Sequence, residues 1–451
     1  MSRFFRRLLA ILILALVARA AMLVYAERQP GRFDYPDSHR YLRVARNIEA
    51  GRGPMETEQI RAGTDPLYPA ILAIGIRLGF DPAGSDDALM RFGRIVNTVF
   101  GVIGVALLAA LGRRLIGDAA GLIAAAVLAV DPILLFFDAL VLTETCYITL
   151  LLAAFYCLSR PAERRPWLWV VGAGLLLGLG TATRSTSLFL PLLMTPLVWL
   201  LARTRGYSDA SRPAPLSSPA GTVQREPGPT RGCVCRHGPL LVVCFLAASI
   251  IPLLPTIVRN YALFGHLVPV RTGGGASLME ALGPWADGGP GMDRIVYPAF
   301  PAGANEHERD RLCRSAALDW ARRHPAQVLR LAWIKLQRTW SVTINAPGYS
   351  SSRYTWIAWL TVLPEFVLAA CGLWLLRRRY TLAALLLIVP IYFTLIHMVF
   401  VGSVRYRLPA MPFLFLAAGA GAAGMWRSLT GRSAAVSPTT GSTEASRRTR
   451  P

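Results

Sequence analysis

The chain has 451 residues, 53% of them hydrophobic, and carries a formal net charge of +22. With a mean hydropathy of +0.42, a soluble reading would need a core far larger than one domain buries, and the repeated apolar runs assign the chain to a bilayer. The charge does not make it a nucleic-acid binder, because the arginines lie between apolar runs and not in one stripe interleaved with aromatics.

Apolar spans are expected near 8–26, 91–112, 119–137, 140–159, 167–183, 186–202, 239–258, 355–376, 380–400 and 409–425, each close to the ~17–25 residues a tilted helix needs. The fold class is therefore an all-α polytopic membrane bundle. Ten crossings put both termini on one side, together with Arg3, Arg6, Arg7, Arg113, Arg114, Arg160, Arg164, Arg165 and Arg377 to Arg379. The positive-inside bias makes that face cytoplasmic, and the membrane the inner one of the cell. The run from Leu8 to Ala26 has no small-x-small cleavage site before polar residues, so it reads as an uncleaved first span. Arg19, inside that span, is expected to snorkel to its outer end.

Four parts follow. Residues 1–202 form an N-terminal bundle with a first outer loop at 27–90; 203–238 is a basic linker rich in Pro, Ser and Gly. Residues 239–430 form a C-terminal part with a second outer loop at 259–354, and 431–451 is a polar tail. Linker and tail lack periodicity and have little to bury, so both read as disordered. In the second outer loop, 305–323 reads as a surface helix. The stretch 325–341, with Arg330, Lys335 and Arg338 among Leu, Trp and Val, reads as an interfacial one. Gly273 to Gly275 is a turn and not a phosphate cradle, since no strand precedes it.

Seven cysteines, an odd number with four inside apolar runs, argue against a disulfide framework. The Cys233, Cys235 and His237 cluster has too few ligands for a metal site and reads as incidental. His39, His266 and His397 show no ligand spacing.

The stretch from Asp34 to Pro69 carries the candidate site. Asp37 and Tyr41 stand four apart on one helical face if the segment turns helical at Pro36. A carboxylate at the mouth of a membrane bundle is costly, and it can take a proton from an incoming hydroxyl or hold a divalent cation that polarises it. The competing reading is that Asp37 caps a helix starting at Ser38. Asp34 ranks second. Glu144, at the start of the fourth span, can support Asp37 or serve only as helix-start charge. Arg184, Arg259, Arg405 and Arg407 reach the outer face from different helix ends, against the charge bias. Together they can clamp a phosphate by bidentate forks, lipid headgroup pairing being the alternative for any one of them. Arg91 lines one face of the second span's start, and Tyr68 follows in Asp-Pro-Leu-Tyr-Pro; with Tyr41 they make the expected substrate pocket.

Pro-Asp-Ser-His-Arg-Tyr-Leu-Arg-Val-Ala-Arg-Asn-Ile, followed by Asp-Pro-Leu-Tyr-Pro, resembles the first outer loop of GT-C glycosyltransferases of the protein-mannosyltransferase and aminoarabinose-transferase kind. Gly-Thr-Ala-Thr-Arg184, Arg259-Asn-Tyr-Ala-Leu-Phe-Gly-His and Arg405-Tyr-Arg-Leu-Pro-Ala-Met-Pro are similar to later stretches of the same superfamily. The resemblance implies transfer of a sugar from a polyprenyl-phosphate donor to a lipid, glycan or protein acceptor on the outer side. The family's Asp-Glu pair is here Asp37 and Ser38, leaving the second acid to Asp34 or Glu144. Where the aminoarabinose branch has a lysine, this chain has Thr64 and Asp65, which shifts phosphate binding to the arginines. A transporter or flippase of a lipid-linked or anionic solute is the alternative, for which internal symmetry and mid-membrane helix breaks are expected.

Overall fold

Proline and capping residues decide where the helices of this chain start and break. The computed structural model describes residues 2–81, 84–160, 165–203, 238–344 and 351–430. The Cys233, Cys235 and His237 cluster, most of the expected linker and the tail from 431 lie outside the described residues. Among those described, the chain is helix and turn without a strand.

The first half runs α1 (Arg3–Arg28), α2 (Pro36–Glu49), α3 (Leu67–Arg77), α4 (Asp86–Leu115), α5 (Asp118–Val130), α6 (Pro132–Ala139), α7 (Glu144–Leu158), α8 (Pro166–Thr183), α9 (Leu190–Leu193) and α10 (Thr195–Arg203). The second runs α11 (Gly238–Ile250), α12 (Leu254–Phe264), α13 (Gly274–Ala281), α14 (Glu306–Arg323), α15 (Pro325–Thr339), α16 (Ser352–Leu376), α17 (Tyr380–Val399) and α18 (Met411–Leu429). Among the described residues, seven helical stretches are long and apolar enough to cross a membrane, and α5 with α6, bent by 52°, makes an eighth. The other two expected crossings fall on shorter apolar stretches, α7 and the broken run Ser185–Leu200.

The bend between α5 and α6 has a local cause. Pro132 has no N–H, which frees the carbonyl of Leu128 one turn earlier. Asp131 caps the new helix by accepting from the Leu134 N–H at 2.7 Å. Arg19 fills the gap: it donates to the Leu128 and Ala129 carbonyls at 3.4 and 3.2 Å and pairs with Asp138 at 2.8 Å. Only 3% exposed, it does not snorkel as the sequence suggested. Freed carbonyls and a buried carboxylate outcompete the headgroup region for the guanidinium.

Small residues let helices approach closely where only packing holds them together. A Cβ on Gly112 would lie 2.5 Å from the Gly121 Cα, at the α4–α5 crossing. One on Gly372 would lie 1.7 Å from the Ala417 carbonyl, where α16 meets α18. A continuous apolar core runs from these crossings through α7, α8 and α17.

At one end sit α2, α3 and α13 to α15. The surface helix expected at 305–323 is α14, started by a reciprocal cap between Asn305 and Glu308. Its Glu306 ties the two long loops together, accepting the Arg61 and Ala62 N–H groups at 2.8 and 3.0 Å and the Thr272 hydroxyl. Helix α15 exposes Leu329 and Trp333, but Lys335 is fully buried and donates to the Val399 carbonyl at 2.9 Å. Lys335 thus belongs to the inner face of α15 and not to its polar rim. Gly273, with φ of 90°, is a left-handed N-cap for α13, consistent with the expected turn.

Candidate functional site

Helix α2 begins at Pro36, whose fixed φ and missing N–H suit a first turn. Its N-cap is Tyr35, without a side-chain cap bond, so Asp37 is not the cap. The Asp37 carboxylate instead pairs with Arg405 at 2.9 Å and with Arg40, one turn along its own helix, at 3.4 Å. Its side chain is 24% exposed, reachable from outside without standing in open water.

Arg405 lies in the 3-10 segment Val404–Ala410 between α17 and α18. Its Nη1 donates to Asp37 and its Nε to Glu144, and its guanidinium lies 5.1 Å over the Tyr35 ring. Glu144 is the first residue of α7, where the helix dipole favours a carboxylate. It is 1% exposed and its Oε1 also forms an ion pair with Arg184 Nη1 at 2.6 Å. Arg184 follows the last residue of α8 in extended backbone. Four elements distant in sequence therefore supply one alternating row, Asp37, Arg405, Glu144, Arg184. The row leaves several guanidinium N–H groups uncommitted, a donor set suited to an oxyanion or phosphate.

Tyr41 stands beside the row, its ring edge-on to Tyr68 at 5.7 Å. Burial and then the Asp37 charge push its phenol up, against Arg405, so it stays a hydrogen-bond donor at neutral pH. Tyr68 is core: fully buried, it donates to Asn97 at 3.0 Å and holds Tyr41 in place. The turn before α3 adds a group that sequence reasoning did not single out. Asp65 lies 3.7 Å from Arg271, whose Nε also donates to the Ser185 hydroxyl. Burial raises its carboxyl, opposed by Arg271, Ser185 and Arg184. The signal available was Asp-Pro before an apolar helix; its arginine partner lies in the other long loop, so pairing was not legible.

The remaining sequence candidates go elsewhere. Asp34 is 60% exposed and bonded to His39 at 2.6 Å. Arg91 pairs with Glu27 at 2.7 Å. Arg259 donates to the Arg61 carbonyl at 2.7 Å and to Asn260 at 3.2 Å, bracing the first long loop. Arg407 is 1% exposed, donates to the Thr339 and Ser341 carbonyls and faces the Phe366 ring at 5.3 Å. Two residues beyond Arg405, it points into the bundle, because the tight segment turns successive side chains apart. A divalent cation does not fit the row: Arg405 bridges both carboxylates, and among the described residues no group of three or more His, Cys, Asp or Glu could hold a metal.

A multi-pass helical bundle with an acid–arginine row at one end is the class that fold and site define. Residues 65–213 match the dolichyl-phosphate-mannose-protein mannosyltransferase family. Among solved structures, the oligosaccharyltransferase of Archaeoglobus fulgidus in complex with zinc and sulfate is 13% identical at a TM-score of 0.52, over 94% of this chain and 50% of that one. The chain therefore spans about half the length of that enzyme. Looser matches are the archaeal AglB from Archaeoglobus fulgidus with an inhibitory peptide and a dolichol-phosphate (12% identity, TM-score 0.49, 96% and 53% covered) and ArnT from Cupriavidus metallidurans bound to undecaprenyl phosphate (16%, 0.37, 94% and 78%). No curated protein matches the chain. The likeness to that oligosaccharyltransferase is one of fold, a multi-pass helical membrane bundle.

Proposed function

We propose that this protein is a glycosyltransferase that moves a sugar from a polyprenyl-phosphate-linked donor to an acceptor on the outer side of the inner membrane, with inversion. The observation that carries the reading is the row Asp37, Arg405, Glu144, Arg184, assembled from four separate elements at one end of the bundle. The matched family and the lipid-phosphate ligands of two solved GT-C structures support the donor class.

In this mechanism an acceptor hydroxyl lies against Asp37. Its oxygen attacks the anomeric carbon while Asp37 takes the proton, and the bond from that carbon to the phosphate oxygen breaks, its electrons leaving with polyprenyl phosphate. The free N–H groups of Arg184 and Arg405 meet the charge that grows on the departing phosphate, in a setting where preorganised donors count more than in water. Glu144 holds both guanidiniums and Tyr41 offers a hydroxyl donor. No general acid is needed for a phosphate whose charge is matched.

The test is Asp37→Asn in membranes supplied with a lipid-phosphate sugar. Transfer is expected to vanish while expression and insertion stay normal; wild-type turnover would remove Asp37 from the base role. Comparing the masses of envelope glycans, lipids and glycoproteins with and without the protein identifies donor sugar and acceptor.

A further inference from the structure

A polar cavity lies beside α2, and the row around Asp37 takes no part in it. Its volume is about 310 Å³, and it opens between the end of α1, the residues just before α2 and the first turns of α4. That is at the small end of the ~300–1,000 Å³ typical of ligand pockets. Asp34, read from sequence as a second catalytic acid, and Arg91, read as part of the substrate pocket, line this cavity.

Apart from Arg91, which is exposed and paired with Glu27 at 2.7 Å, its charges are sorted by depth. Asp86 and Asp87 stand at the start of α4, whereas Arg94 is eight residues further along the same helix, about 12 Å of rise toward the bilayer. Arg94 is only 7% exposed. Its Nε donates to the Ala139 carbonyl at 3.1 Å, but among the described residues no carboxylate pairs with it and its two Nη groups have no hydrogen-bond partner. A desolvated guanidinium facing an open cavity with two idle donors is a costly arrangement that an incoming anion would relieve. At the rim the sign reverses. Asp87 is exposed and unbonded among the described residues. Asp34 uses one oxygen on His39 and keeps the other free.

A wholly anionic ligand would suit Arg94 and be repelled at the rim; a simple cation would meet the reverse. A zwitterion with its anion deep and its cation outward matches both. The cavity sits at the polar ends of two membrane-length helices, α1 and α4, the level at which lipid headgroups meet protein. A primary ammonium fits the rim better than a quaternary one, since carboxylates accept N–H bonds and Phe33, the cavity's aromatic, is 2% exposed and buried against Phe136. We propose that this cavity binds the aminoalkyl-phosphate headgroup of a membrane phospholipid, with Arg94 on the phosphodiester and Asp87 and Asp34 on the ammonium. The assignment is independent of glycosyl transfer.

Native mass spectrometry of the full-length protein, exchanged from mixed phosphatidylethanolamine, phosphatidylcholine and phosphatidylglycerol micelles, tests it. Wild type is expected to retain one phosphatidylethanolamine per chain in preference to the other two. Asp87→Asn, at a side chain bonded to nothing, should cut that preference by up to about fivefold, the worth of an exposed ion pair. Arg94→Gln should weaken retention of the lipid about tenfold or more, as loss of a charge-assisted bond does. If Arg94→Gln does not fold, Asp87→Asn decides alone. Equal retention of all three lipids by wild type, or an unchanged preference in Asp87→Asn, overturns the proposal. So does tight binding of soluble O-phosphoethanolamine by lipid-free protein that retains no lipid, which would make the ligand a free metabolite.

Discussion

Glu144 shows how much one side chain decides here. It is buried with two arginines on it, and removing a partner from such a group leaves uncompensated charge. Glu144→Ala should therefore lower stability by about 3–5 kcal/mol, read by thermal unfolding in detergent, and lower transfer as well. That double loss separates it from Asp37→Asn, which is expected to cost activity alone. Lys335 offers a pH signature. Burial depresses its ammonium from the ordinary 10.5 to about 8, so between pH 8 and 10.5 the unfolded chain holds a proton that the folded chain does not. Stability must then rise with pH across that window. Melting temperatures of wild type should gain on those of Lys335→Met from pH 8 to 10, and parallel curves would contradict the burial. His39 carries the opposite sign. Burial lowers its pKa, but hydrogen bonds and charges from Asp34 and Asp86 outweigh this and raise it, so its contribution fades as pH climbs through the raised value.

Among the elements, the α16–α18 contact is the tightest. Because a Cβ at Gly372 would overlap the Ala417 carbonyl at 1.7 Å, Gly372→Ala forces two helices apart. A loss of about 1–3 kcal/mol, the usual range for overpacking, is expected in thermal unfolding. Leu360→Ala on the same helix, 72% exposed toward lipid, should change little. Helix starts and stops were readable because they are local chemistry: Pro325 opening α15, Asn305 and Glu308 capping α14, Pro36 opening α2. The kink at Pro132 was missed, since a continuous apolar run from 119 to 137 looks like one straight span. What permits the kink is a guanidinium from α1.

At the scale of the whole molecule, the two long loops and the ends of the spans form one outer assembly. Glu306 joins the loops with two backbone N–H bonds and one hydroxyl bond. Glu306→Ala should leave those N–H groups unpaired, and bonds to a charged group are worth about 1.5–3 kcal/mol. Hydrogen exchange at Arg61 and Ala62 is expected to quicken by about tenfold or more. Unchanged exchange would mean that the loops hold their positions without this contact.

The sequence alone determined that this is a helical membrane bundle, and it put Asp37, Glu144, Arg184 and Arg405 on the candidate roster, because apolar length, charge bias and capping chemistry are properties of neighbouring residues. Which candidates meet was decided only by tertiary structure. Arg405 and Arg407 are two residues apart, yet one reaches Asp37 and the other turns into the core; Asp34 and Asp37 are three apart, yet Asp34 lines the cavity beside α4 and Asp37 pairs with Arg405. Partners of a charged group are chosen by which helix ends the packing brings within a few ångströms, and that distance is written nowhere along the chain.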